Sequence, residues 1–207
     1  MKYIIAIDIG GTTFNTGIFS DSLNQIAISP KDKIRYYNGR ENVVSAIINQ
    51  INNLINQNNI NKKDILGIGI ATPGPIDAKK GIILNTPNLI IFQNYAIAED
   101  FRKKLGIDTF IGNDANLFSL GEWFVEYKEN NITMGITIGT GMGFGLVING
   151  ELFTGANGMA MEYALSPFEW GICEKNVCIR YIKERAKDLY GEELSPIIIE
   201  KYYKSND

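Results

Sequence analysis

"IIAIDIGGTTF", residues 4–14, is a run of strand formers that ends in a carboxylate. Ile4, Ile5, Ala6 and Ile7 are suited to burial, yet Asp8 closes the run and Gly10, Gly11, Thr12 and Thr13 follow at once. A core strand has no use for that ending. Glycines after a strand let the backbone approach a ligand closely and turn N–H groups toward an anion, and a threonine hydroxyl adds a donor. The stretch reads as a phosphate cradle. A carboxylate beside a phosphate repels it unless a cation lies between, so Asp8 reads as a ligand for Mg²⁺, directly or through water. Taken alone, the stretch also fits a tight turn closed by an Asx-type hydrogen bond.

Outward from this point the chain reads as an ordinary globular α/β protein. Residues 3–8, 14–19 and 33–37 are expected as strands of an antiparallel meander. Val43, Val44, Ile47, Ile48, Ile51, Leu54 and Ile55 recur at helical spacing, which predicts an amphipathic helix over 41–57. "ILGIGIA" (65–71) is a buried strand stopped by "TPGP", and a helix over about 94–105 leads to the short strand "DTFIG". A further helix from Asp114 is expected to bury Leu117, Leu120 and Phe124. "MGITIGTGMGFGLVINGELFTG" (134–155) then repeats the plan of strand, glycine turn and strand, with Asn149-Gly150 as a hairpin turn. Two lobes follow from this repetition: residues 1–115 carry the first loop, and 116–207 carry the second.

Composition removes whole classes of chemistry. There is no histidine, which excludes Ser-His-Asp triads, histidine general bases and histidine-held metals. A net charge of −3 without a basic block gives no footprint for nucleic acid. No apolar run reaches the roughly 20 residues of a membrane span, and no signal segment precedes the first strand. Two cysteines, Cys173 and Cys178, make no disulfide framework. A cytoplasmic protein is expected, with its chemistry on carboxylates, hydroxyls, backbone amides or a bound metal.

The second glycine-rich stretch places Gly139, Thr140 and Gly141 where they suit a second clamp on a polyphosphate. It is not a Walker A loop, because no Gly-Lys-Ser/Thr follows, and it opens a strand where a Rossmann fingerprint opens a helix. A glycine-rich sheet packed closely for steric reasons is the alternative. In "GNDAN", Asn113 and Asp114 fall where a strand ends and a helix begins, the place where ligands gather in α/β proteins. A carboxylate there can take the proton of a hydroxyl nucleophile, with the amide fixing that hydroxyl. Asn and Asp are equally the preferred N-caps of helices.

Together these segments resemble the ROK family of sugar kinases and sugar-responsive repressors, in particular its glucokinase-like kinases. "DIGGT" matches the first phosphate motif, "ATPGPID" and "NTPNL" the sugar-side loops, "GNDAN" the catalytic junction, and "GTGMGFGLVINGELFTGANG" the second phosphate motif. The matches run in the family's order. The resemblance implies a two-lobed actin/hexokinase-like (ribonuclease H-like) ATPase fold that takes ATP and Mg²⁺ and a sugar substrate. It makes Asp114 the general base and Asn88, Asn113 and Glu162 ligands of sugar hydroxyls. It gathers Asp8, Gly10, Gly11, Thr12, Gly139, Thr140 and Gly141 around the phosphates and metal.

Departures from the family pattern shape the expectation. "EYAL" keeps Glu162 but has Leu165 where the family has a histidine that holds sugar and zinc. Cys173 and Cys178 fit two of three cysteine positions, Gly171 falls at the first, and Arg180 replaces an acidic sugar ligand. No zinc site is expected, because stable sites take four ligands. The family continues past the point where this sequence stops, so the second lobe is expected to be incomplete. Apolar surface left by the shortened lobe points to a homo-oligomer, most simply a dimer. An ATP-dependent kinase acting on a hexose or N-acetylhexosamine is the preferred reading. The alternative is a catalytically impaired sugar- or nucleotide-binding protein, a pseudokinase or regulatory subunit.

Overall fold

The opening strand becomes β1 (Tyr3–Ile9) and turns directly back as β2 (Thr13–Ser20), antiparallel, with Asp8 opposite Asn15. This computed structural model describes residues 1–191 except Asn157 and Trp170, and beyond them 195, 198, 200 and 204. Asn157 of the second glycine-rich motif and most of the terminal "KYYKSND" therefore lie outside the described residues. Cα packing divides the chain into two units, Met1–Leu117 and Phe118–Asp207.

The first unit is built on a sheet in the order β3-β2-β1-β5-β8. β3 is Gln25–Ile28, and the short β4 (Asp32–Lys33) pairs with the start of β2. β5 (Ile65–Thr72) and β8 (Thr109–Asn113) run parallel to β1, so these three strands end at one edge of the sheet. Parallel strands need crossovers, which α1 (Arg40–Gln57) and α2 (Ile97–Leu105) supply. Between β5 and α2 lies a small hairpin of β6 (Ile76–Asp77) and β7 (Ile82–Ile83).

The periodicities that predict these elements also make the core. Ile5, Ile7 and Ile9 of β1 join Val43, Ile47 and Ile51 of α1, with Phe14, Phe92 and Phe101 fully buried among them. Each such side chain contributes about 1.5–3 kcal/mol by leaving water. Gly106, in the left-handed region at φ 71°, ends α2.

Three expectations are corrected. Residues 33–37 are not the third strand of the meander: β3 is, while Ile34–Tyr36 form a 3₁₀ turn. The Ile34 N–H bonds the Thr12 carbonyl and the Tyr37 N–H bonds that of Ile34, so the backbone is committed to a turn beside the glycine loop. α2 starts at Ile97 rather than near 94, because Asn94 sits at φ 51°, outside helical space. In α3 (Asp114–Glu126), the buried positions are Ala115, Asn116 and Ser119. Leu117 and Leu120 are half-buried, and Phe124 is 39% exposed with the Lys128 ammonium over its ring. Small residues take the closest approach: a Cβ on Gly135 would stand only 2.2 Å from Ser119 Oγ.

The second unit is a hairpin of β9 (Ile132–Ile138) and β10 (Met142–Ile148), extended by β11 (Glu151–Leu152). Asn149 and Gly150 both have positive φ, as the two-residue turn between β10 and β11 requires. A short pair, β12 (Pro167–Phe168) and β13 (Gly171–Ile172), precedes α4 (Cys173–Val177) and α5 (Ile179–Tyr190). One face of β9 presents Ile132, Met134, Ile136 and Ile138, each between 44% and 66% exposed. Among the described residues no helix is long and apolar enough to cross a membrane.

Candidate functional site

Because β1, β5 and β8 run the same way, their carboxyl ends bring three loops to one edge of the first unit. Asp8 pairs with Ala71, Ala71 with Gly112, and Thr72 with Asn113. Asp8 is thus level with Gly112, two strand spacings or about 10 Å away, and Asp114 follows two residues beyond Gly112. The edge of a parallel sheet is where ligands of α/β proteins bind.

The first loop is the tight connection from β1 to β2, closed by the Gly10 N–H on the Thr13 carbonyl at 2.8 Å. Gly11 and Thr12 are exposed on it. A Cβ on Gly11 would stand 2.8 Å from the Asn88 carbonyl oxygen, so only glycine lets residues 85–89 come this close. The loop after β5 leaves through a cis Gly74–Pro75 peptide, and a Cβ on Gly74 would stand 3.2 Å from Asn113 Nδ2. The structure thus sets Asn88 beside Gly11, and Asn113 beside Gly74.

Asn113 does cap α3: its Oδ1 accepts the Asn116 N–H at 3.1 Å. Capping uses the oxygen and leaves the amide NH₂ as a donor. Asp114, the first residue of α3, is half-buried and its Oδ1 accepts the Ala115 N–H at 2.9 Å. Burial pushes its carboxyl above the ordinary value of 3.8, and the charge of Asp8 pushes the same way. The bond from Ala115 opposes the shift without cancelling it. A raised pKa makes the carboxylate a stronger proton acceptor than an ordinary one.

Two residues that sequence reasoning passed over belong to this edge. Asn15 stands opposite Asp8, on the same face of the sheet, and its Oδ1 is buried without a hydrogen-bond partner. Thr72, fully buried at the end of β5, likewise has an unpartnered Oγ1. Asn15 was legible in principle, since a tight turn after Ile9 fixes the residue facing Asp8. The exposed carboxylate of Asp8 and the Asn15 carbonyl oxygen form an all-oxygen donor pair, the kind that suits Mg²⁺ rather than a soft metal.

The second unit holds the other candidates. The Gly139 N–H bonds the Gly141 carbonyl at 2.8 Å, which closes the turn between β9 and β10 around exposed Thr140. The Ile179 N–H at the start of α5 bonds the Gly139 carbonyl at 2.9 Å, and Glu174 Oε2 accepts the Met142 N–H at 3.0 Å. Glu162 is exposed, just before a 3₁₀ turn at Tyr163–Leu165 whose Tyr163 ring packs edge-on against Phe144 of β10. Cys178 is buried, and Cys173, half-buried, stands 3.9 Å from the Met142 sulfur. Neither cysteine is in a disulfide.

A core sheet with parallel strands, a glycine turn after its first strand and a polar strand-to-helix junction at the same edge define a protein of the actin/hexokinase-like class. The ROK hexokinase from Thermus thermophilus has this fold, with a TM-score of 0.81 at 22% identity, over 99% of this chain and 70% of that one. The chain belongs to the ROK family, whose family model matches residues 4–182. It is 33% identical over 160 residues to the glucokinase of Thermotoga maritima, covering 77% of this chain and 49% of that protein. It is 29% identical over 226 residues to the N-acetyl-D-glucosamine kinase of Haemophilus influenzae, covering 97% and 71%. The chain thus spans about half the length of the first relative and about seven-tenths of the second.

Proposed function

We propose that this chain carries the catalytic machinery of an ATP-dependent sugar kinase, one that phosphorylates a hydroxyl of a hexose or an N-acetylhexosamine. The carrying observation is Asp114: a half-buried carboxyl of raised pKa, at the sheet edge that also holds Asp8 and the Gly10-Gly11 turn. The glucokinase and N-acetylglucosamine kinase relatives support the substrate class.

The residues present fit Mg²⁺-ATP. Asp8, through water, and the unpartnered Asn15 Oδ1 would hold the metal. The backbone of Gly10, Gly11 and Thr12 would hold phosphates, and the reading gives the same task to Gly139, Thr140 and Gly141. When bound, Mg²⁺-ATP supplies an electrophilic phosphoryl group whose charge the metal shields. Asp114 takes the proton of the attacking sugar hydroxyl. The Asn113 amide, its oxygen committed to the helix cap, donates to that sugar, and Asn88 and Glu162 are assigned further hydroxyls.

A coupled ADP-release assay over hexoses and N-acetylated hexoses tests the reading. At least one sugar should stimulate ADP release well above the rate without sugar. Sugar binding without any such stimulation would instead select a binding protein.

A cytoplasmic setting and a dimer complete the reading. The apolar face of β9, with Ile132, Met134, Ile136 and Ile138 exposed, exceeds what isolated surface residues explain. Light scattering should give twice the chain mass, and Ile136→Lys should shift it toward the monomer. A monomeric wild-type chain would remove the dimer from the proposal and leave the chemistry untouched.

A further inference from the structure

We propose that Glu174 is an internal occupant of the second glycine-rich loop, an affinity-determining residue that phosphate must displace. The inference rests on the reading of that loop as a phosphate clamp. Two observations place the carboxylate there. Its Oε2 accepts the Met142 N–H at 3.0 Å, and the same oxygen would stand 2.7 Å from a Cβ on Gly141. The carboxylate therefore lies against the backbone of the turn itself, in space that exists because residue 141 has no side chain.

The contact is braced from both sides. Glu174 is the second residue of α4, and its carbonyl accepts the Cys178 N–H at 3.1 Å. The next residue, Ile179, donates its N–H to Gly139 at the other end of the turn. Residues 174–179 are thus fastened to the loop through the carboxylate and through backbone.

A carboxylate oxygen on a backbone N–H is the chemical equivalent of a phosphate oxygen on the same donor. Two anionic oxygens cannot share one donor at hydrogen-bond distance, and like charges repel strongly where water is excluded. A phosphate ligand enters only after Glu174 has given up Met142. The side chain can rotate away while its backbone bonds stay intact, so the loop can be vacated without unfolding α4. A hydrogen bond to a charged group has a net worth that corresponds to about a tenfold to a hundredfold change in affinity.

The test titrates Mg²⁺-tripolyphosphate into the isotope-labelled full chain and its Glu174→Gln and Glu174→Ala variants. Calorimetry gives affinity, and the Met142 amide resonance reports the loop. Gln keeps the size of Glu without its charge, and Ala removes both. The expected result is at least about tenfold tighter binding in Glu174→Ala and a smaller gain in Glu174→Gln, whose amide oxygen can still accept the Met142 N–H without the charge, with the Met142 resonance moving on addition of ligand. Equal or weaker binding in both variants, with that resonance still moving, overturns the role of Glu174. A Met142 resonance unmoved in all three proteins shows instead that the loop is not a phosphate clamp, and the inference falls with that reading.

Discussion

Asp114→Asn is expected to cut phosphoryl transfer at least about a hundredfold while making the folded protein more stable at neutral pH. The two effects share one cause. Burial and the neighbouring Asp8 charge hold the Asp114 carboxyl above its ordinary value of 3.8. The folded state therefore binds this proton more tightly than the unfolded chain does. Its stabilising contribution is whole below 3.8 and is lost as pH rises through the raised value. Above the raised value the carboxylate is ionised in both states, and only the folded state bears the cost of a desolvated charge beside Asp8. Asn carries no charge to desolvate and can still accept the Ala115 N–H through its side-chain oxygen. Thermal denaturation of both proteins should show the variant ahead at pH 7, with the gap closing as pH falls through the raised value toward 3.8. Sugar affinity should be retained, and the acid limb of the wild-type rate profile should titrate above the ordinary carboxylate range. A variant that keeps more than about a tenth of wild-type turnover would remove Asp114 from the role of base.

The same residue shows what a sequence can and cannot carry. "GNDAN" admits two readings, a helix cap and a catalytic pair; the structure shows the cap, and the catalytic pair is what we propose. Asn113 Oδ1 caps the helix, while the next side chain is the perturbed acid. Local spacing was enough for α1 and the β1–β2 hairpin, because each is governed by a single period and one turn. It failed at 33–37, where the Ile34 N–H bonds the Thr12 carbonyl, more than twenty residues back along the chain. It failed again at Phe124, because the periodicity of α3 shows one apolar stripe but not that small residues occupy its closest contacts. Glu174 was beyond reach for the same reason: 32 residues separate it from Met142, and nothing in "GICEKNVC" marks one side chain as a ligand of a distant turn. The placement of Asp8, Gly11 and Asp114 at the carboxyl ends of strands was legible because strand endings that carry carboxylates and glycines have few purely structural uses.

Gly11→Ala is expected to weaken triphosphate binding by at least tenfold and to cost about 1–3 kcal/mol of stability. The added Cβ would stand 2.8 Å from the Asn88 carbonyl oxygen, 3.5 Å from its Cβ and 3.7 Å from its carbonyl carbon. The nearest of these atoms is backbone, so no rotamer change relieves the overlap. Either the turn between β1 and β2 or the loop at 85–89 must move by several tenths of an ångström. Those loops hold the proposed phosphate donors and a proposed sugar ligand, so one methyl group should disturb both kinds of binding together. Gly10→Ala is the matched control. Its Cβ would meet only the Thr13 carbonyl oxygen, at 3.5 Å, an ordinary contact, and the fold should tolerate it. Denaturation curves together with calorimetric titration of Mg²⁺-ATP separate the cases. Close packing is the reason for Gly11 if its variant loses both stability and affinity while the Gly10 variant stays within about 0.5 kcal/mol of wild type in stability. If Gly11→Ala leaves stability unchanged and still abolishes binding, the glycine serves room for the ligand rather than room for Asn88. If it changes neither, the first loop is a turn and not a phosphate cradle, and the carboxylate that ends "IIAID" needs another explanation.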